Sequence, residues 1–198
     1  YLAGVSDGAI GCFAAANCIN APFAGFFSIS GAGFVIQSAG IPIQPHNLMQ
    51  RPIYAIYAGL DTHFPAAENQ RFHAWLKQAG VDIEESFYQY EKHGFDYKEK
   101  EYGAIAARIR KWVRPKATGF SWAFLPGQLN VPAYIVGWTF NRDSKKSPVL
   151  SGFWNYDTLI IRATGLEEII VDVERFGRKF FYKVNGSSVK PLKQVVDS

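Results

Sequence analysis

The sequence predicts an α/β fold: a parallel sheet with flanking helices over residues 1–115, followed by a small antiparallel β domain over residues 116–198. Three observations carry this reading. Apolar runs at residues 26–30, 53–58 and 83–90 alternate with stretches of helical period, the pattern of right-handed βαβ units. The clearest of these runs are apolar throughout instead of alternating, as in parallel strands covered on both faces. Beyond Lys116 the helical period disappears, and short β-rich runs follow one another between turn signals.

Composition agrees with a folded chain. Of 198 residues, 48% are hydrophobic and 16% aromatic, enough to bury a real core. The net charge of +4 arises from 21 basic and 17 acidic residues spread along the chain, so no basic stripe for nucleic acid stands out. No apolar run reaches the length of a membrane-spanning helix, and the first residues read as a core strand instead of a secretion signal. Cys12 and Cys18 fall six positions apart on one predicted helix, too far round and along for a mutual disulfide, and read as buried small hydrophobes.

Taken in order, residues 1–5 form a strand end that runs through Ser6 into a small-residue helix at 9–19. Gly4-Val5-Ser6-Asp7-Gly8 matches G-x-S-x-G, in which a serine on a sharp strand-to-helix turn lifts its hydroxyl above the sheet. The flanking glycines let the backbone pass close to itself, and the helix start aims free N–H groups at the space above. Residues 26–30 are a short buried strand. Residues 31–50 have no clear period; there Phe34, Ile36 and Met49 either border a pocket or are ordinary loop packing. The run at 53–58 ends in Gly59-Leu60-Asp61-Thr62-His63-Phe64-Pro65, placing Asp61 just beyond a strand. A helix at 66–79 shows Phe72, Trp75, Leu76 and Ala79 on one face, and Gly80 stops it. The run at 83–90 ends in Glu91-Lys92-His93-Gly94-Phe95-Asp96, placing His93 beyond the next strand. Tyr102, Ile105, Ala106, Ile109, Trp112 and Val113 repeat the helical pattern before Pro115. In such sheets active groups gather at the carboxyl ends of the strands, where Ser6, Asp61 and His93 all fall.

Each residue has a plainer alternative. Ser6 also suits a helix N-cap, though the flanking glycines and the later motifs favour a nucleophile, and Asp61 also suits a turn former or cap, with the acid of the triad favoured. His63 rivals His93 as a base but lies only two residues from Asp61, and Asp96 rivals Asp61 but in a different chain order. His46 reads as a loop residue and His73 as a helix-surface residue. No metal cluster, phosphate loop or dinucleotide fingerprint is present, so the chemistry implied is cofactor-free.

The elbow, the G-L-D-T-H-F-P segment and the K-H-G-F segment, in the order Ser6, Asp61, His93, resemble the C-terminal half of an α/β-hydrolase. They are most similar to serine esterases of the polyhydroxybutyrate-depolymerase and dienelactone-hydrolase type, over about residues 1 to 114. The resemblance implies Ser6 as nucleophile, His93 as base, Asp61 as its orienter and the Asp7 backbone N–H as an oxyanion donor, acting on a small-molecule or polymeric ester without nucleic acid or membrane. A prolyl-oligopeptidase-like peptidase shows the same three motifs, and a catalytically silent binding or scaffold protein keeps the same fold. A hydrolase of this type has strands before its elbow, so the chain is expected to be a fragment, completed by an upstream segment or a second chain.

In the β-rich part, runs at 118–125, 133–140, 157–164, 169–174 and 179–184 predict antiparallel hairpins, with Asn185-Gly186 as a type I′ turn. Trp122, Trp138, Trp154 and Tyr156 there suit either core packing or a glycan or polymer surface.

Overall fold

The computed structural model describes residues 1–19, 23–49, 51–113, 119–125, 135–140, 148–155, 158–171, 181–184 and 187–188. The chain divides into two units, Tyr1–Lys116 with Leu125–Val131, and Ala117–Phe124 with Pro132–Ser198.

In the first unit the elements run β1 (Leu2–Val5), α1 (Asp7–Cys18), β2 (Phe26–Ile29), α2 (Val35–Ser38), α3 (Pro45–Leu48), β3 (Ile53–Ala58), α4 (Ala66–Gln78), β4 (Ile83–Tyr88) and α5 (Tyr97–Lys111). The four strands form one parallel sheet in the order β1-β2-β3-β4. Val5 lies opposite Ile29, Ile29 opposite Ile56, and Ala58 opposite Tyr88, so neighbouring strands end together. β2 and β3 are buried at every position, which explains the unbroken apolar sequence of β3 and of β2 apart from Ser28, whose hydroxyl donates to Ala9 O at 3.4 Å. The expected α/β architecture is the one observed.

Period two splits the sheet residues between two cores. On one face Phe26, Ile53, Ala55 and Ile83 pack against Cys12, Phe13, Phe72 and Leu76 of α1 and α4. On the other, Phe27, Ile29, Tyr54, Ile56 and Ala58 meet Ala104 and Ile105 of α5 and the following Trp112, which stacks on Phe27 at 5.2 Å. Cys12 is buried and Cys18 half-buried, both as free thiols, and burial pushes the Cys12 thiol up to about 11.

Two helix faces differ from the sequence expectation. On α4 the buried residues are Asn69, Phe72, His73 and Leu76, while Trp75 stays 40% exposed. His73 is therefore a core residue and not a surface one. Its Nδ1 lies 2.8 Å from Glu85 Oε1 of β4, which also accepts from the Tyr57 hydroxyl at 3.0 Å, and Lys77 pairs with the second oxygen. A polar side chain is tolerated there because its partner arrives from a remote strand. On α5, Tyr102 and Ile109 face solvent and Glu101 is buried instead. Its two oxygens accept from the Tyr54 and Tyr88 hydroxyls, each at 2.7 Å, and burial pushes Tyr54 up to about 12. His46 lies in the single-turn α3 and not in a loop.

The Glu85 cluster sets a pH dependence. The hydrogen bond with His73 chiefly, helped by Lys77 and Tyr57 and opposed by burial, lowers the Glu85 carboxyl from its ordinary 4.5 to about 2. A carboxyl lowered on folding stabilises the native state above its ordinary value, and that contribution is lost as pH falls from 4.5 towards about 2. Chemical unfolding across this range is expected to show a slope that Glu85→Gln flattens; an unchanged slope contradicts the assignment.

The second unit holds β5 (Gly119–Ala123), β6 (Ile135–Phe140), β7 (Val149–Asn155), β8 (Thr158–Thr164), β9 (Leu166–Val171), β10 (Phe181–Val184) and β11 (Ser187–Ser188). Five strands form a sheet in the order β11-β10-β8-β7-β5, and β6 pairs with β9 separately. β7, which the sequence patterns leave out, is an interior strand, pairing antiparallel with both β5 and β8. β8 and β10 are parallel, an exception to the expected run of hairpins, because the intervening β9 departs to the other sheet and serves as the crossover. Trp122 is 1% exposed and buried with Leu150, Leu159 and Ile161 in this unit, as core packing requires. Pro115, Tyr156, the Asn185-Gly186 turn and the side chains of Trp138 and Trp154 lie outside the described residues.

Candidate active site

Ser6 sits between β1 and α1 with φ 56° and ψ −119°, a left-handed backbone that a residue with a Cβ rarely adopts. The turn is held by its N–H, which donates to Ile29 O of β2 at 2.9 Å. The close approach explains Gly4. A Cβ added there would lie 2.0 Å from the Gly8 carbonyl oxygen, so the strand and the first turn of α1 touch through backbone. A Cβ on Gly8 would meet nothing within 4 Å; of the two motif glycines, only Gly4 is required by contact. Ser6 occupies the N-cap position but its side chain makes no capping bond. Its Oγ instead lies 3.0 Å from His93 Nε2, 87 residues away.

Asp61 and His93 are brought together by the ends of β3 and β4. Gly59 N donates to Tyr88 O at 2.8 Å and Leu60 N to Glu91 O at 2.9 Å, zipping the two loops together beyond the strands. A Cβ on Gly59 would lie 2.2 Å from Gln89 O, so this zipper needs glycine. Asp61 Oδ2 then lies 2.9 Å from His93 Nδ1. Its other oxygen, Oδ1, accepts the backbone N–H groups of His63 and Phe64, each at 2.9 Å. Asp61 is thus turn former and His93 partner at once, and its side chain, 1% exposed, has both oxygens satisfied.

The three side chains therefore form one hydrogen-bonded line, Ser6 to His93 to Asp61. The rivals lie elsewhere. Asp96 caps α5, accepting from Lys98 N at 3.3 Å. His63 meets Asp61 through its backbone, and its exposed ring stands edge-on to the His93 ring at 4.8 Å. Phe64, which lies in the G-L-D-T-H-F-P segment but to which the sequence reading gives no role, approaches His93 at 5.5 Å. Asp7 opens α1, so its N–H has no acceptor within the helix, and its side chain is exposed. Phe34, Ile36 and Met49 all join the core on the α1 and α4 face: Ile36 is 4% exposed, and Phe34 meets the Phe72 ring at 6.3 Å. Among the described residues no group of three or more His, Cys, Asp or Glu side chains converges as a metal site.

A parallel sheet with helices on both faces, with a positive-φ serine at the turn from β1 to α1, an aspartate after β3 and a histidine after β4, is the arrangement of the α/β-hydrolase superfamily. The chain belongs to the dienelactone hydrolase family, which its residues 14–118 match; the match contains Asp61 and His93 and starts after Ser6. Solved structures similar to it include Arabidopsis thaliana SOBER1, with 22% identity and a TM-score of 0.43 over 55% of this chain and 50% of that one. Another is the Pyrococcus furiosus esterase Pf2001, with 14% identity and a TM-score of 0.45 over 56% and 52%. A third is the Pyrococcus horikoshii acylaminoacyl peptidase, with 14% identity and a TM-score of 0.47 over 60% and 24%. The chain spans about half the length of the first two and about a quarter of the third. No curated protein matches the sequence.

Proposed function

We propose that this protein is a serine hydrolase that cleaves a carboxylic ester through an acyl-enzyme, with Ser6 as nucleophile, His93 as base and Asp61 as its orienter. The observation that carries the reading is the unbroken line of hydrogen bonds from the Ser6 hydroxyl through the His93 ring to a buried carboxylate. Membership of a hydrolase family supports the reaction class.

With its Nδ1 proton donated to Asp61, His93 presents Nε2 as an acceptor to the Ser6 hydroxyl. Oγ attacks the acyl carbonyl carbon, the hydroxyl proton passes to Nε2, and the carbonyl oxygen becomes an oxyanion. The Asp7 N–H donates to that oxyanion, a contribution of about 3–4 kcal/mol to the transition state. Collapse expels the alkoxide, which takes the Nε2 proton and leaves as the alcohol. Water then repeats the sequence on the acyl-enzyme, releasing the acid and restoring Ser6. The substrate is a small-molecule or polymeric ester, and the steps call on no cofactor.

β1 lies at one edge of the described sheet, with Tyr1 44% and Val5 40% exposed. An open edge accepts a further strand, and in this reading an upstream segment or a second chain supplies it. Rapid mixing with a p-nitrophenyl ester tests the proposal. An initial burst of about one p-nitrophenol per protein, followed by slower turnover, is the expected record of an acyl-enzyme. Folded protein that turns over no ester contradicts it.

A further inference from the structure

Glu101 of α5 is 1% exposed, and its two oxygens accept the hydroxyls of Tyr54 and Tyr88, each at 2.7 Å. Hydrogen bonds to a buried carboxylate are charge-assisted and strong, because the charge has no water to turn to. The two phenols have similar surroundings: Arg108 lies over the Tyr54 ring at 3.5 Å and Lys100 over the Tyr88 ring at 5.3 Å. They differ in where their backbones lead. Tyr54 lies near the start of β3, at the end of the sheet away from Ser6. Tyr88 ends β4 and opens the loop that carries His93.

The Tyr88 backbone is where the two loops of the site join. Its carbonyl accepts Gly59 N of the Asp61 loop at 2.8 Å and Glu91 N of the His93 loop at 3.2 Å, and the Glu91 carbonyl accepts Leu60 N at 2.9 Å. Its ring packs at 4.8 Å on Phe95, which follows His93 in the loop. One residue thus braces the chain before and after His93 as well as the loop of Asp61. α5, a helix of 15 residues packed on the sheet, gives Glu101 a rigid mount. We propose that Glu101 is a positioning residue: by holding the Tyr88 hydroxyl it fixes the junction of the two loops, and with it the 2.9 Å bond between Asp61 and His93. This rests on the serine hydrolase reading above.

Steady-state kinetics on p-nitrophenyl acetate, with denaturant unfolding alongside, compare Y54F and Y88F. Each variant removes one hydroxyl from the same carboxylate, so both are expected to lose similar stability. Only Y88F loosens the loops: its kcat is expected to fall about tenfold with KM within about twofold of wild type, while Y54F keeps kcat within about twofold. Glu101 itself is tested by rescue. In E101Q the amide still accepts from one hydroxyl and donates to the other, and kcat stays within about threefold of wild type; in E101M both bonds are gone and kcat falls about tenfold. Equal kcat in Y54F and Y88F, or in E101Q and E101M where Y88F does not fold, overturns the inference while leaving the serine hydrolase reading intact. Folded wild type that turns over no ester overturns both.

Discussion

Replacing Ser6 by alanine is expected to lower kcat for an activated ester by about 10⁶-fold, and replacing His93 by alanine to lower it about as far, if the proposed mechanism holds. The double variant falls no further than either single one. On the proposed mechanism the 3.0 Å contact between Oγ and Nε2 makes the pair one unit: the hydroxyl is not deprotonated without its acceptor, and the acceptor has no role without the hydroxyl. The residual rate expected is the contribution that the proposal assigns to the Asp7 N–H and to substrate binding. The change is chemical and not structural, because the Ser6 side chain makes no helix-capping bond and alanine meets φ 56° with the same Cβ. Steady-state kinetics on the three variants, with thermal unfolding as a control, check this. Losses that add in the double variant contradict a joint role.

Asp61→Asn and Asp61→Ala are expected to separate the two tasks of one carboxylate. In Asp61→Asn the retained amide oxygen still accepts from His63 N and Phe64 N, so the loop keeps its turn and stability changes little. The new NH₂ group, however, faces His93 Nδ1 as a donor and favours the tautomer protonated on Nε2, which cannot take the Ser6 proton. kcat drops about 10⁴-fold. In Asp61→Ala both backbone N–H groups also lose their acceptor, so a similar loss of rate is joined by about 1–3 kcal/mol of lost stability. Parallel kinetics and denaturant unfolding distinguish the two. Equal destabilisation by both variants would show that the Oδ1 contacts do not hold the loop.

The parallel sheet and the convergence of Ser6, Asp61 and His93 were legible in the sequence for a geometric reason. Buried parallel strands such as Ile53–Ala58 are continuous apolar runs, and residues just beyond them fall at one edge of the sheet whatever the loops between do. The buried polar groups were not legible. Glu101 looks like part of a solvated face until Tyr54, 47 residues away, and Tyr88 supply its partners, and His73 looks exposed until Glu85 arrives from β4. Helical period counts apolar residues and is blind to a charge that is paired across elements. β7 escaped because Ser151 and Gly152 interrupt its apolar character; its strand state comes from pairing on both sides. Nor does a motif reveal that Asp61 is shared between a turn and an imidazole, since the two N–H groups it anchors belong to the backbone.

The central claim is that Ser6 is an activated nucleophile. Labelling purified protein with a fluorophosphonate and locating the adduct by peptide mass tests it most directly. The expected result is a single adduct on the peptide carrying Ser6, absent from Ser6→Ala and lost from His93→Ala. Folded wild-type protein that remains unlabelled, or that carries its adduct on another residue, contradicts the claim.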